Sequence, residues 1–276
     1  MTAVRTALDS RSAVAETLLI PLYIRALEMR ETRPLLRDES AVALVERLDY
    51  DFKRINLRDM NRVGIVMRAH RIDLWTSDFL ASHPGATVVH IGCGLDTRFE
   101  RVDDGRVDWY DLDLPEVIAL RRELLPERPR CTLLACSVFD PAWLKDVAPT
   151  DGPALFIAEG VLPYFEESQV KDLVLMLRRH FPGAELICDA FTPLMVRLDN
   201  LILMRTKFKA RLRWGIKHGG DMERWGPGIK LLEEWFYFDE PEPRMGTSRW
   251  MRHFPPFGRG VGLFHYRLSN AADPIT

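Results

Sequence analysis

Apolar positions recur at helical spacing to about residue 82, then give way to short β-branched runs separated by turn residues. Residues 15–30 present Leu18, Leu19, Leu22, Ala26 and Met29 on one face. Residues 40–48 and 63–80 continue in the same style, and Ser82, Pro84 and Gly85 end the run. Beyond it the spacing predicts strands at residues 87–91, 107–110, 131–136, 154–158 and 185–189. Between them lie a helix opened by Pro115, a short one at Trp143 and Leu144, and a longer one with Val170, Leu173, Val174 and Leu177 facing inward. That longer helix begins with Glu166 and Glu167 and ends with Arg178 and Arg179, the order the helix dipole favours, and Gly183 stops it. Residues 233–238 and 262–268 read as two more strands, preceded by a basic helical segment at residues 205–225.

Strands alternating with helices of this length imply right-handed crossovers and a mostly parallel sheet. Continuous apolar strands imply a sheet covered on both faces. The expected architecture is a doubly wound α/β sheet of seven strands in one domain. It has an N-terminal helical cap (1–82), a ligand-binding core (83–190), a helical lid insertion (191–230) and C-terminal strands (231–276).

The chain has 276 residues, with 38 Lys and Arg against 40 Asp and Glu, a net charge of −2, 47% hydrophobic and 28% charged residues. This balance excludes a disordered chain and a strongly basic nucleic-acid binder. No apolar run approaches the roughly 18 residues needed to span a bilayer. No basic segment followed by an apolar core marks a secretory signal, so a soluble, cytoplasmic protein is expected. Cys93, Cys131, Cys136 and Cys188 form no CxxC pair, and the seven histidines form no ligand cluster, so neither a disulfide framework nor a metal is expected.

In open sheets of this kind ligands bind outside the carboxyl ends of the strands. Four features fall at predicted strand ends: Gly92-Cys93-Gly94, Asp113, Ser137 and Glu159. The two glycines allow a sharp turn and close approach of a ligand. An acid after the second strand suits the two hydroxyls of a ribose. The third glycine of GxGxxG is replaced by Thr97 and no GxxxxGK[ST] loop occurs, which argues against a pyrophosphate. A nucleoside carrying an amino acid, S-adenosylmethionine, fits better. The alternative is that Gly92 and Gly94 only shape a tight turn and Asp113 is an ordinary loop residue.

The segments Ile91-Gly92-Cys93-Gly94-Leu95-Asp96-Thr97-Arg98, Asp111-Leu112-Asp113-Leu114-Pro115-Glu116-Val117-Ile118 and Ala158-Glu159-Gly160-Val161-Leu162-Pro163-Tyr164-Phe165 resemble the leucine carboxyl methyltransferase superfamily. Within it they are most similar to bacterial tetracenomycin-type polyketide O-methyltransferases. Glu16 to Glu28 and Arg68-Ala69-His70-Arg71-Ile72-Asp73 resemble the same group, so the likeness runs from about residue 14 to 190. It implies a class I methyltransferase-like fold and S-adenosylmethionine as cofactor, with S-adenosylhomocysteine as product. It also implies roles. Arg68 would pair with the methionine carboxylate, Gly92 and Gly94 would approach the cofactor, and Asp113 would hold the ribose. Ser137-Val138, where the family usually has Asp-Leu, would lie near the adenine, and Glu159 would face the amino group and sulfonium end. Alternatives stand beside these. Arg68 could be a helix-surface charge, Ser137 a turn residue, and Glu159 a helix cap or a partner of Arg98. Arg98 and Asp96 are expected to brace the loop.

A carboxylate acceptor is ionised at pH 7 and requires no general base, whereas a hydroxyl must lose a proton. His218 and His253 lie in segments expected to cover the site, but nothing local marks either as activated, which favours a carboxylate. Tyr23 and Tyr164 are candidate pocket-wall and positioning residues, with core packing as the alternative. Arg205, Lys207, Lys209, Arg211, Arg213 and Lys217, interleaved with Phe208, Trp214 and Trp225, suggest a cationic aromatic lid, or else a solvated amphipathic helix. The expected substrate is a small acidic or phenolic natural product, with an acidic carrier protein as a further partner and neither nucleic acid nor membrane. Methylation of a protein C-terminus and a non-catalytic cofactor-binding module are the competing readings.

Overall fold

The computed structural model describes residues 13–55, 57, 59–147, 153–204, 210–240 and 242–270, side chains of 13–17 excepted. Among the described residues three helices come first: α1 (Ala13–Glu28), α2 (Glu39–Arg47) and α3 (Asp59–Ser82). Strands and helices then alternate as β1 (Thr87–Ile91), α4 (Arg98–Val102), β2 (Asp108–Asp113), α5 (Pro115–Leu124), β3 (Cys131–Ala135), β4 (Leu155–Ala158), α6 (Glu167–His180) and β5 (Ala184–Phe191). The chain continues through α7 (Pro193–Leu203), β6 (Ile229–Phe236), α8 (Pro255–Gly258) and β7 (Val261–Leu268), with short 3-10 turns between elements.

The seven strands form one sheet in the order β3-β2-β1-β4-β5-β7-β6. The first five are parallel, β7 runs antiparallel to β5, and β6 pairs antiparallel to β7. The strand order reverses between β1 and β4, so the switch-point crevice lies at Ile91 and Ala158.

Both faces of the sheet are covered. On one, Val89, Ile91, Phe156 and Leu186 pack with α6 residues Val170, Leu173, Val174 and Leu177. On the other, Val88, Leu155 and Ile157 pack with α3 residues Ile72, Trp75 and Phe79. Every residue of β1 and β4 is buried, which is why their sequences are largely apolar without alternation. Helices α1 and α2 form a separate apolar contact with α5 through Leu19, Leu22, Leu44, Leu120 and Leu124. They also reach the loop after β1 through Leu95.

The tail departs from expectation. Between β5 and β6 the described residues hold α7, which ends at Leu203, and no α-helix over 210–225. Arg205, Lys207, Phe208 and Lys209 lie outside the described residues, and residues 210–218 form no helix. A 3-10 turn, Gly219–Trp225, follows. Trp214 is buried in the core and tilts against Trp225, so it does not belong to an exposed aromatic face. The physical cause is that residues 210–216 lie against the sheet end as an extended strap. Their backbone is satisfied by Pro163 and Phe191 carbonyls rather than by helical bonds. Strand β6 begins at Ile229, four residues before the predicted start; its exposed positions Lys230 and Glu233 are polar at the sheet edge, which hid that start from the apolar pattern. Among the described residues, no helix is long and apolar enough to cross a membrane, and no group of three His, Cys, Asp or Glu side chains could hold a metal.

Candidate active site

The chain leaves β1 through a glycine bend. Gly92 and Gly94 have φ of 65° and 51°, the left-handed region that a Cβ disfavours. Space is closed as well, since a Cβ on Gly92 would lie 2.3 Å from Val161 Cγ2, and one on Gly94 2.9 Å from Leu18 Cδ2. Three successive N–H groups of this bend are already spent. Gly92 and Cys93 donate to Leu112 O, and Gly94 donates to Asp113 Oδ2 at 2.8 Å. Its carbonyls are held too, Gly94 O and Asp96 O by Arg121 and Leu95 O by Arg25. A loop with its donors used internally offers nothing to a phosphate.

Asp113, at the end of β2, is half-buried, and its Oδ1 accepts from Leu114 N at 2.7 Å. Burial raises its pKa, and the two backbone N–H groups counter that only in part. Glu159, at the end of β4, is largely buried between two guanidiniums. Arg68 Nε lies 2.8 Å from Oε1 and Arg98 Nη2 lies 2.5 Å from Oε2. Burial alone would raise its pKa, but Arg98 and then Arg68 bring it down to about 2. Arg68 also reaches Asp189 Oδ2 on β5 with Nη1 at 2.8 Å, while Asp189 Oδ1 accepts from Gly160 N at 2.7 Å. Asp189 is fully buried, and burial pushes its pKa upward even beside Arg68. Tyr237 completes the cluster within electrostatic reach of Arg68, and burial raises its pKa to about 12.

Beneath the bend, arginines and acids interlock. Arg98, with no exposed surface, holds Asp73, Asp96 and Glu159. Arg101 holds Asp38, Asp73 and Asp96, and Arg25 holds Asp38. Arg121 grips Asp111, whose other oxygen accepts from Trp109 Nε1 at 2.8 Å. Despite burial, Arg121 and His90 bring Asp111 to about 2. Thus α1, α3 and the α2 cap Asp38 are tied to the bend by charge-assisted bonds. Asp111 and Glu159 titrate lower in the folded chain than in the unfolded one. The unfolded state therefore takes up protons first as pH falls, and stability present above about pH 4 to 5 is lost toward pH 2. Burial-raised Asp113 and Asp189 act with the opposite sign and soften the loss. We expect the urea midpoint to fall steadily between pH 5 and pH 2; a midpoint that holds or rises over that interval contradicts this account.

The structure brings Arg68, Gly92, Gly94, Asp113 and Glu159 to one end of the sheet, around the switch point. Ser137 lies just past β3, where its Oγ accepts from Phe139 N at 3.3 Å. The Val138 side chain is in the core, and its carbonyl accepts from Trp143 Nε1. Arg68 is no surface charge, but its fork is already engaged by two protein carboxylates, leaving Nη2 beside Gly160. Arg98 and Asp96 brace the loop, and Glu159 does pair with Arg98. Tyr164 stands partly exposed within electrostatic reach of Asp189 and Arg68, and burial raises its pKa. Tyr23 instead stacks on Phe52 at 4.8 Å. His218 and His253 are exposed.

Sequence reasoning missed Asp189 and Tyr237. The first ends a predicted strand, so the rule that found Asp113 and Glu159 could have found it too. Tyr237 follows β6 with no local signal; only the missing side chain of Gly64, whose Cβ would sit 2.8 Å from the Tyr237 ring, betrays where the ring lies.

Residues 18–177 match the family described as leucine carboxyl methyltransferase. The chain is 38% identical to the tetracenomycin polyketide synthesis O-methyltransferase TcmP of Streptomyces glaucescens, over 83% of this chain and 85% of that one. It is 31% identical to the S-adenosyl-L-methionine-dependent methyltransferase dpfgK of Gibberella zeae, over 87% of each. Its fold is similar to that of magnesium protoporphyrin IX methyltransferase from Synechocystis, solved with bound S-adenosylhomocysteine. The TM-score is 0.51 and the identity 13%, over 84% of this chain and 94% of that one.

Proposed function

This chain belongs to the leucine carboxyl methyltransferase family and is an S-adenosylmethionine-dependent methyltransferase. We propose that the crevice at the β1/β4 switch point holds this cofactor and directs its methyl group to a carboxyl or hydroxyl oxygen of a small, natural-product-type acceptor. The observation that carries the reading is the hydrogen-bonding sense of the site. Gly92, Cys93 and Gly94 have no N–H left for a phosphate, while the Asp113 and Glu159 carboxylates, each already accepting two bonds, keep further lone pairs for arriving donors. A ribose with two hydroxyl donors and a cationic sulfonium with an ammonium group fit such a site in both polarity and charge.

In this reading Gly92 and Gly94 bring the backbone close to the cofactor, and Asp113 takes the ribose hydroxyls. Ser137 Oγ and the backbone of Val138 border the adenine. Glu159 faces the amino group and sulfonium end. Arg68, with Nε and Nη1 committed to Glu159 and Asp189, has Nη2 for the methionine carboxylate. The bound cofactor supplies an already activated methyl group. The chain's own work is to hold, orient and keep water out, which can lower a barrier by several kcal/mol, on the order of 7–11 where alignment is complete. Tyr164, a phenol protonated at neutral pH, can donate a hydrogen bond to the acceptor. The strap at residues 210–216 lies over the neighbouring turn, with Arg213 N and Trp214 N both donating to Pro163 O. A carrier-protein partner would meet Arg205, Lys207 and Lys209, which lie outside the described residues, together with Arg211, Arg213 and Lys217, of which Arg213 pairs with Glu166.

Calorimetry with S-adenosylmethionine, followed by transfer of labelled methyl to a panel of aromatic acids, 2-substituted acids and phenols, tests the reading. Esters and ethers among the products distinguish carboxyl from hydroxyl transfer, and absence of cofactor binding refutes the proposal. Asp113→Ala is expected to weaken cofactor binding by about 1–2 kcal/mol, close to tenfold. Part of that loss comes through the loosened Gly94 N–H. Unchanged affinity in this variant would remove the ribose assignment.

A further inference from the structure

We propose that Asp199 is a specificity-determining residue on the acceptor side of the site, taking a hydrogen bond from a hydroxyl group carried by the acceptor. The proposal rests on the methyl-transfer reading above. Two stitches place the residue. Asn200 grips Leu212 in both directions, Nδ2 to Leu212 O at 2.8 Å and Leu212 N to Oδ1 at 3.0 Å. The next residue of the strap, Arg213, donates to Pro163 O at 2.7 Å. Helix α7 and the turn that carries Tyr164 are therefore fastened to adjacent residues of one strap, and Asp199 and Tyr164 are the chain neighbours of the two fastening points. In keeping with this, the Tyr164 hydroxyl lies within electrostatic reach of Asp199 as well as of Asp189 and Arg68.

What singles out Asp199 is its lack of company. It is half-buried, and among the described residues no hydrogen bond or ion pair engages it. Asp38, Asp111, Glu159 and Asp189 each hold a guanidinium or a backbone N–H. A carboxylate withdrawn from water without a donor is costly, and an O–H arriving with a ligand removes that cost. An acceptor bearing only a carboxylate gains nothing from Asp199 and is repelled by it, whereas a hydroxylated acceptor satisfies it. A site built to bond a hydroxyl discriminates strongly against the analogue without one, because its own polar group is then left unpaired.

The test compares 2-naphthoic acid with its 3-, 5- and 6-hydroxy derivatives, bound by calorimetry to the protein saturated with S-adenosylhomocysteine. The expected result is that at least one hydroxylated acid binds about tenfold or more tighter than 2-naphthoic acid, about 1.4 kcal/mol. In Asp199→Ala that advantage falls below about threefold, while Asp199→Asn, which keeps an acceptor oxygen, retains part of it. Binding of S-adenosylhomocysteine serves as the check that both variants are folded. No advantage in the wild type, or an undiminished advantage in Asp199→Ala, overturns the proposal. Labelled-methyl transfer to the same acids is scored separately. A hydroxyl preference without any transfer counts against the reaction assigned to the site, not against Asp199.

Discussion

Arg98→Ala is expected to destabilise the protein by about 3–5 kcal/mol, the scale seen when one member of a buried ion cluster is removed. The guanidinium has no exposed surface and reaches Asp73 at 2.6 Å, Asp96 at 2.9 Å and Glu159 at 2.5 Å. Burial opposes its charge, yet Asp96, Glu159 and Asp73 together hold its pKa above the ordinary arginine value. Truncation leaves three carboxylates sharing what Arg101 and Arg68 can still supply. Arg98→Lys should recover only part of the loss, since a single ammonium cannot span three separate carboxylates as a planar fork does. Urea denaturation at pH 7 measures the deficit. The same comparison near pH 3 should give a smaller one, because the orphaned acids of the variant then accept protons that the wild-type cluster resists. A deficit under about 1 kcal/mol at pH 7, typical of an exposed pair, would show that the cluster is not the tie described.

The fold was readable because its strands are buried on both faces. Thr87–Ile91 and Leu155–Ala158 are buried at every position, with Thr87 and His90 their polar members, and Gly92 and Gly160 punctuate their ends. The first three helices were equally plain from their periodic leucines and alanines. The tail was not. The many basic residues of 205–225 suggested a charged helix, but helix propensity is a weak prior, and Trp214 and Ile216 are drawn into the core instead. Strand β6 breaks the alternation of buried and exposed positions at a register irregularity between Leu231 and Glu233, which blurred its start.

Within the site, residues fixed by strand ends were legible and residues fixed by tertiary approach were not. Asp113 closes β2, and Glu159 sits one step beyond the apolar run of β4. Tyr237 arrives through the packing of the segment after β6, whose position no local spacing encodes. The role of Arg68 was suggested by resemblance, but its two carboxylate partners come from β4 and β5, about ninety and one hundred and twenty residues away along the chain. The buried layer under the bend has a functional logic. With Leu95 O, Gly94 O and Asp96 O held by Arg25 and Arg121, the backbone cannot relax when a ligand enters, so affinity is not spent on ordering the loop.

Arg68→Ala is expected to act on both binding and stability, and the two effects can be separated. Removing the side chain leaves Glu159 with Arg98 alone, and leaves Asp189 with only the Gly160 N–H. A cost of about 3 kcal/mol follows for the uncompensated buried charge. A typical reserve of roughly 5–15 kcal/mol keeps the variant folded. Cofactor affinity should fall at least about tenfold, because Nη2 is lost and Glu159 is free to move. If the stability loss comes from unpaired charge rather than from lost packing, neutralising a partner must relieve it. Arg68→Ala with Asp189→Asn should therefore be more stable than Arg68→Ala alone, although Asp189→Asn by itself destabilises. A double-mutant cycle by urea denaturation reads that sign reversal. Simple additivity would mean that Arg68 and Asp189 do not share a charge-compensating contact. Calorimetry on the same four proteins then shows whether affinity follows the pairing or the arginine itself. Affinity restored together with stability in the double variant would mean that Arg68 only positions its neighbours, whereas affinity still lost in a stable double variant places its guanidinium on the cofactor.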